Sequence, residues 1–94
     1  MVQKFCLGRQ FLTRGVNELV AKNLDFAWFV TDCLKRHAAG DWGNLDHEDK
    51  NRNEMALEEG SRVFSAYIME VLPKIWIITE ADRSSPTVLF PSEY

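Results

Sequence analysis

The sequence predicts an α+β domain with one strand, three helices and then a three-stranded antiparallel meander, the helices packed on one face of the sheet. Two observations support this order. Apolar residues recur at helical spacing between residues 24 and 37, whereas β-branched and aromatic residues dominate residues 62–69 and 74–80. With 94 residues, the chain is expected to form a single domain over residues 1–94.

A first strand is predicted over residues 4–12, KFCLGRQFL, because apolar side chains alternate there. A helix follows, with Thr13 as its expected N-cap residue and an end near Asn23. Val16 and Leu19 are three residues apart and therefore lie on one face of this helix.

The second helix, LDFAWFVTDCLKRH, has the clearest helical periodicity in the chain. Acidic Asp25 near its start and the basic residues at its end complement the helix dipole. Trp28 lies off the apolar stripe, which predicts a partly exposed indole. The stripe itself comprises Phe26, Phe29, Val30, Cys33, Leu34 and His37.

The third helix is predicted from its end signals rather than from an apolar face. Gly40 is expected to end the second helix, and Asp46 is placed to cap the third, with Asp49 three residues further on. Gly60 is expected to stop it. Few residues between these limits are apolar, so this helix should be mostly solvated.

Strands are predicted at residues 62–69 and 74–80, joined by a turn at residues 71–73. The small and polar residues after Glu80 favour another turn. A short strand, TVLF, should then close the sheet.

The composition narrows the functional classes. The net charge of -3 and the scattered Lys and Arg residues disfavour a nucleic-acid groove, so another protein is the expected partner. No apolar run is long enough to span a membrane, and the start of the chain lacks the apolar block of a signal peptide, so we expect a cytoplasmic protein. No cofactor is expected. The two cysteines lack paired spacing, which favours reduced thiols, and the oligomeric state stays open.

Four strings together resemble a known family: FCLGRQFLTRG, RHAAGDWGNLDHEDKNRNEMALEEGSR, SAY and KIWIITEADRSSPTVLFPSEY. Taken over nearly the whole chain, they are similar to small bacterial proteins met on plasmids, phages and integrated elements. Members are described as plasmid-related proteins or as subunits of type I restriction-modification systems. The resemblance implies an origin in a mobile element, with which a regulatory or anti-defence role is compatible.

The GDWG and ITEADRS strings are the specific part of this resemblance. The chain departs from the pattern at MEVLPKIW, where relatives have a tight Asp-Gly-type turn, and at Ser85-Pro86, where they tend to have a threonine. The matching positions are His37, Gly40, Asp41, Trp42, Gly43, Asp49, Asn53, Gly60, Ser65, Tyr67, Trp76, Thr79, Glu80, Asp82, Arg83 and Tyr94.

Two reactive sites can be assembled from the residues. Helical spacing places Cys33 and His37 one turn apart, and Cys6 and His47 would complete four zinc ligands. Because the four lack the spacing of zinc modules, we expect no bound metal.

A hydrolytic site would combine His37, Asp41, Glu80 and Asp82 around a divalent ion. Here Glu80 and Asp82 would project to the same side of an extended segment, where they would either hold the ion or share acid and base roles. The other interpretation, which we favour, is that Asp82 and Arg83 build a turn and pair with each other or with the backbone, while Asp41 stabilises the bend after Gly40.

The preferred binding residues are Asp41, Trp42, Glu80, Asp82 and Arg83. The indole of Trp42 either fills the core, with its N–H bonded to a carbonyl, or anchors a partner. We therefore expect a small non-enzymatic protein of mobile-element origin that binds a macromolecular partner. The alternative is a metal-dependent enzyme acting on a phosphodiester or a nucleotide.

Overall fold

The computed structural model describes residues 9–94, so the greater part of the predicted first strand lies outside the described residues. Three helices and four strands follow in the predicted order. Their bounds are β1 Phe11–Leu12, α1 Arg14–Lys22, α2 Leu24–Ala38, α3 His47–Glu59, β2 Val63–Tyr67, β3 Ile75–Thr79 and β4 Thr87–Leu89, with a final 3-10 turn at Pro91–Glu93.

The four strands form one mixed sheet in the order β1-β4-β3-β2. β2 pairs with β3 and β3 pairs with β4, both in antiparallel orientation. The prediction of a purely antiparallel three-stranded sheet is incomplete, because β1 adds a parallel strand beside β4, with Phe11 opposite Thr87. The three helices lie between these two strands in the chain, and such a long crossover is what parallel pairing requires.

α1 and α2 pack on one face of the sheet, whereas α3 lies against the edge strand β2. The apolar stripe of α2 is buried as the periodicity predicts, including His37 at its C-terminal end. A smaller cluster joins α3 to β2 through Ala56, Val63 and Trp42. The main core comprises Val16, Phe26, Phe29, Val30, Cys33, Leu34, Tyr67, Ile75, Ile77 and Val88.

The ends of α3 follow the sequence signals. The side chain of Asp46 accepts a hydrogen bond from the backbone N–H of Asp49 at 2.8 Å, and Gly60 ends the helix with a φ of 75°. Both positions satisfy backbone groups that a helix end leaves without partners. The predicted cap and stop of α3 are therefore confirmed.

The start of α1 differs from the prediction. Thr13 occupies the N-cap position, but its hydroxyl donates to the carboxylate of Glu93 rather than accepting from the helix. The other carboxylate oxygen of Glu93 accepts from the backbone N–H of Gly15 at 2.9 Å. These hydrogen bonds lower the pKa of Glu93, with the Thr13 hydroxyl as the main cause. An acid from the C-terminal segment thus caps this helix, and local sequence contains no signal for it.

Candidate functional site

The GDWG loop covers the outer edge of the sheet. β2 is an edge strand, and Gly43 forms a parallel β-bridge with Ala66 on it. The neighbouring Asn44 donates its backbone N–H to the carbonyl of Ala66 at 2.7 Å and accepts from the N–H of Ile68 at 3.0 Å through its side chain. These bonds satisfy donors and acceptors that an open edge would leave available for pairing with another chain.

Asn53 on α3 extends this cover. Its side-chain amide donates to the carbonyl of Phe64 at 2.5 Å and accepts from the N–H of the same residue at 3.1 Å. One side chain therefore makes the pair of hydrogen bonds that a neighbouring strand would make. Loop and helix together close the edge of β2 at both ends.

Trp42 is a core residue. Its side chain is 4% exposed and packs with Ala56 and Val63. The core alternative for this indole is confirmed, but its N–H donates to the carboxylate of Glu54 on α3 at 2.7 Å instead of to a carbonyl. Because the ring is buried, Trp42 is not available as a surface anchor for a partner.

Asp41 is held inside the loop. Its carboxylate receives two bonds from the guanidinium of Arg36, at 2.7 and 3.3 Å, and one from the N–H of Gly43 at 3.1 Å. The hydrogen bond with Arg36, followed by the one with Gly43, holds the pKa of Asp41 below its usual value. The backbone carbonyl of Asp41 also accepts from the hydroxyl of Tyr67 at 2.7 Å. Asp41 therefore fixes the bend after Gly40, as the turn interpretation predicts.

His37 lies in a buried polar network. Its Nδ1 is 2.5 Å from the hydroxyl of Ser65 and its Nε2 is 2.9 Å from the hydroxyl of Thr79. Burial, with a smaller effect from the charge of Arg83, lowers the pKa of His37 to about 4. The ring is therefore neutral at pH 7, and it joins α2 to β2 and β3 through hydroxyl groups of the sheet.

The proposed zinc ligands do not come together as a metal site in the described part of the chain. Cys33 is buried in the apolar core, which raises its pKa to about 12, and His47 is exposed at the start of α3. Cys6 lies outside the described residues. Among residues 9–94, no group of three or more His, Cys, Asp or Glu side chains is arranged to hold a metal ion.

The ITEADR segment forms a turn. β3 ends at Thr79, and the backbone N–H of Arg83 donates to the carbonyl of Glu80 at 2.9 Å, so Glu80 and Asp82 do not share an extended segment as the hydrolytic alternative requires. Asp82 accepts from the N–H of Ser84 at 2.9 Å, which lowers the pKa of its carboxyl. The carboxylate of Glu80 lies 3.7 Å from the guanidinium of Arg62.

Arg83 caps the end of α3. Its guanidinium donates to the carbonyl of Ala56 at 3.0 Å and to that of Ser61 at 2.5 Å. The Ala56 carbonyl lies in the last turn of α3, at the negative end of the helix, where a cation is stabilising. Four of the five predicted binding residues, Asp41, Trp42, Asp82 and Arg83, thus have internal contacts that maintain the fold.

A different surface lies where α2 meets the hairpin between β2 and β3. Trp28 is 66% exposed, Met69 is 49% exposed and Val71 is 96% exposed. They line a cavity of about 370 Å³ together with acidic residues from both elements. We call this surface the Trp28 ridge and define it as Asp25, Trp28, Asp32, Met69, Glu70 and Val71.

Val71 combines exposure with backbone strain. Its φ is 64°, in the left-handed region that a β-branched residue rarely adopts. This conformation costs about 1 to 2 kcal/mol relative to the right-handed region. The sequence indicated a turn here, but the positive φ of a valine could not be read from the pattern.

A second surface lies on the sheet face opposite the helices. Phe64 on β2 and Trp76 on β3 are half-buried there, with ring centroids 5.2 Å apart. Tyr94 stands against Trp76 at 5.7 Å. With Arg62, these three rings line a cavity of about 370 Å³, which we call the aromatic pocket. Sequence reasoning missed it, although both strands are apolar at alternate positions that point away from the helices.

Comparison of the chain with family models, with curated proteins and with solved structures gives no match. Within residues 9–94, each helix is too short or too polar to cross a bilayer.

Proposed function

We propose that this chain is a non-enzymatic protein that binds another protein through the Trp28 ridge. The observation that carries the proposal is Val71, a β-branched side chain held almost fully exposed at a φ of 64° beside an exposed tryptophan. Neither feature stabilises the isolated fold. The strained backbone costs free energy, and apolar side chains that stay exposed do not receive the free energy of burial. The exposed side chains of Val71 and Trp28 would both contribute to binding a partner, and tryptophan is a frequent anchor residue in protein interfaces.

The charges of the ridge favour a particular partner. Asp25, Trp28 and Asp32 are spaced by three and four residues on α2, so they form one line on the helix surface. Glu70 adds a third acid from the hairpin. A segment with apolar side chains flanked by Lys or Arg would complement this surface in shape and charge.

The setting of this binding is also a proposal. Resemblance to proteins of plasmids and phages supports a mobile-element origin and a regulatory or anti-defence role. The metal-dependent enzyme gains no support, because His37, Asp41 and Asp82 are engaged in separate internal contacts. Glu80 is exposed and faces Arg62.

The test compares three immobilised proteins in an affinity capture from the native host: the wild type, Trp28→Ala and Met55→Ala. Met55 is 57% exposed on α3 and serves as the matched apolar control. We expect the wild type and the control to retain one protein that Trp28→Ala loses. With the captured protein purified, Trp28→Ala should weaken the dissociation constant roughly 30-fold, since loss of an anchor residue costs about 2 kcal/mol.

Salt and self-association provide the controls. Raising the salt concentration should weaken binding of the wild type, because exposed charges are screened. Equal capture by the wild type and Trp28→Ala would overturn the role of the ridge. Sedimentation of the purified chain could also overturn the proposal of a different protein as partner. A dimer that dissociates in Trp28→Ala would mean that a second copy of the chain occupies the ridge.

A further inference from the structure

The aromatic pocket has the form of a binding site for a flat molecule. Phe64 is inclined at 84° to Trp76, and Tyr94 is inclined at 72° to the same ring. Both rings therefore contact the indole in a T-shaped arrangement, with centroids 5.2 and 5.7 Å from it. A cavity of about 370 Å³ between such rings is large enough for one small organic molecule.

Arg62 supplies the polar group of the pocket. Its guanidinium lies 5.5 Å from the centroid of the Tyr94 ring and donates to the Tyr94 hydroxyl at 3.1 Å. The side chain is 41% exposed and lines the cavity. A guanidinium beside aromatic rings recognises anions, because it offers paired donors to carboxylate or phosphate oxygens.

Glu80 is the present ionic partner of Arg62. Its carboxylate approaches the Arg62 guanidinium at 3.7 Å while its side chain is 61% exposed. A loose pair of this kind on the surface contributes little to stability and is readily exchanged. The anionic group of a ligand would therefore compete with the Glu80 carboxylate for the Arg62 guanidinium.

We infer that the aromatic pocket binds a small flat ring that carries a carboxylate or a phosphate. The ring stacks among Phe64, Trp76 and Tyr94, and the anionic group pairs with Arg62. This site is distinct from the Trp28 ridge, because it lies on the face of the sheet that the helices leave uncovered. Its occupancy therefore does not depend on the proposed protein partner.

The test follows the three indole N–H signals by NMR during titration with four probes. 2-Naphthoate and its neutral counterpart 2-naphthamide examine carboxylate ligands, whereas adenosine 5′-monophosphate and adenosine examine phosphate ligands. We expect a saturable shift of the Trp76 signal with at least one anion and a dissociation constant at least fivefold weaker for its neutral counterpart. Signals of Trp28 and Trp42 should stay in place.

Two variants with opposite expected effects on the affinity for the anion make the test more specific. Arg62→Gln should weaken binding of the anion about tenfold, the loss of one charge-assisted pair of about 1.4 kcal/mol. Glu80→Gln should strengthen binding two- to threefold by removing the competing carboxylate. Arg52→Gln, a change of an exposed arginine on α3, should have no effect.

Four results would overturn the inference. These are the absence of a saturable Trp76 shift with either anion, equal binding of charged and neutral probes, an equal shift at Trp28, or an unchanged dissociation constant in Arg62→Gln. Each variant is first checked for a wild-type pattern of the remaining backbone signals. Because Arg62 and Glu80 are exposed, both variants are expected to fold.

Discussion

Two short segments of this chain differ in an unexpected way: the polar one is bonded internally, and the apolar one is exposed to solvent. The loop at residues 41–44 contains a carboxylate, an indole and an amide, and all three bond to the chain itself. The hairpin tip at residues 69–72 is mostly apolar, yet it places Val71 almost fully in solvent. The segment with more reactive groups is structural, and the one with fewer is exposed to solvent.

This difference shows that side-chain type alone is a weak guide to function. In a chain of 94 residues, polar groups are needed to cover an edge strand and to end helices. Asp41 and Asn44 serve these purposes, and they would attract attention in any search for a site. An apolar residue held in a costly backbone conformation is a better indication, because folding alone does not explain it.

The largest expected effect is on the loop, at Gly43. Its φ is 72°, and a Cβ there would collide with the carbonyl oxygen of Ala66 and lie 2.6 Å from the Tyr67 ring. Gly43→Ala should therefore lower the free energy of unfolding by about 3 to 5 kcal/mol, combining backbone strain with a clash in the core. Urea unfolding monitored by circular dichroism measures this change.

Gly60→Ala is the matched control for that prediction. Gly60 has a φ of 75°, but a Cβ there would meet nothing within 4 Å. This change should cost only about 1 kcal/mol, the strain of a left-handed alanine. If both variants lose the same stability, the packing of the loop against β2 contributes nothing and the comparison of the two segments fails.

Much of the helical part of the fold could be predicted from local signals. Asp46 and Gly60 set the ends of α3, and the period of 3.6 residues set the buried face of α2. Such features depend on residues within one or two turns of each other. The same helical period predicted that Trp28 lies outside the apolar stripe of α2, and its side chain is exposed as expected.

The remainder depends on contacts between distant parts of the chain. Glu93 caps α1 from a position 78 residues beyond Gly15, and β1 pairs in parallel with β4. Neither contact has a local pattern. The aromatic pocket had one partial signal, since Phe64 and Trp76 are aromatic at strand positions facing away from the helices. Which residues would cover that face was not determined by the pattern.

A second prediction concerns pH and the buried His37 beneath the loop. Because burial lowers its pKa from 6.5 to about 4, the unfolded chain binds the proton more readily than the folded chain between these values. The free energy of unfolding should thus decrease as the pH falls from 6.5, by roughly 3 kcal/mol once pH 4 is reached. Urea unfolding at several pH values measures the slope.

His37→Gln provides the control, because it removes the titrating group while keeping a polar side chain. The variant should show a flatter profile between pH 5 and 6.5, whatever its stability at pH 7. The range from pH 5 to 6.5 also excludes the effect of Asp41. The pKa of its carboxyl is held below the usual value of 3.8, so the stability that it contributes is lost only at more acidic pH. An unchanged slope in His37→Gln would assign the pH dependence to other groups.

The smallest expected effect is on the hairpin, and it has the opposite sign. Val71→Gly removes the strain of a left-handed valine, which stabilises the folded state by about 1 to 2 kcal/mol. The more flexible unfolded chain opposes this gain by about 0.5 to 1 kcal/mol. Since Val71 is 96% exposed, no buried contact is lost. The free energy of unfolding should rise by about 0.5 to 1 kcal/mol in urea unfolding.

The same variant should bind the captured protein about tenfold more weakly, because it removes an apolar side chain from the ridge. Val71→Ala separates the two effects, since it shortens the side chain but keeps a non-glycine residue at a positive φ. It should weaken binding without the gain in stability. If Val71→Gly binds as tightly as the wild type, the strain at the hairpin tip does not serve binding, and the contact must lie on α2 around Trp28. If both properties change as expected, stability has been given up at Val71 in favour of binding.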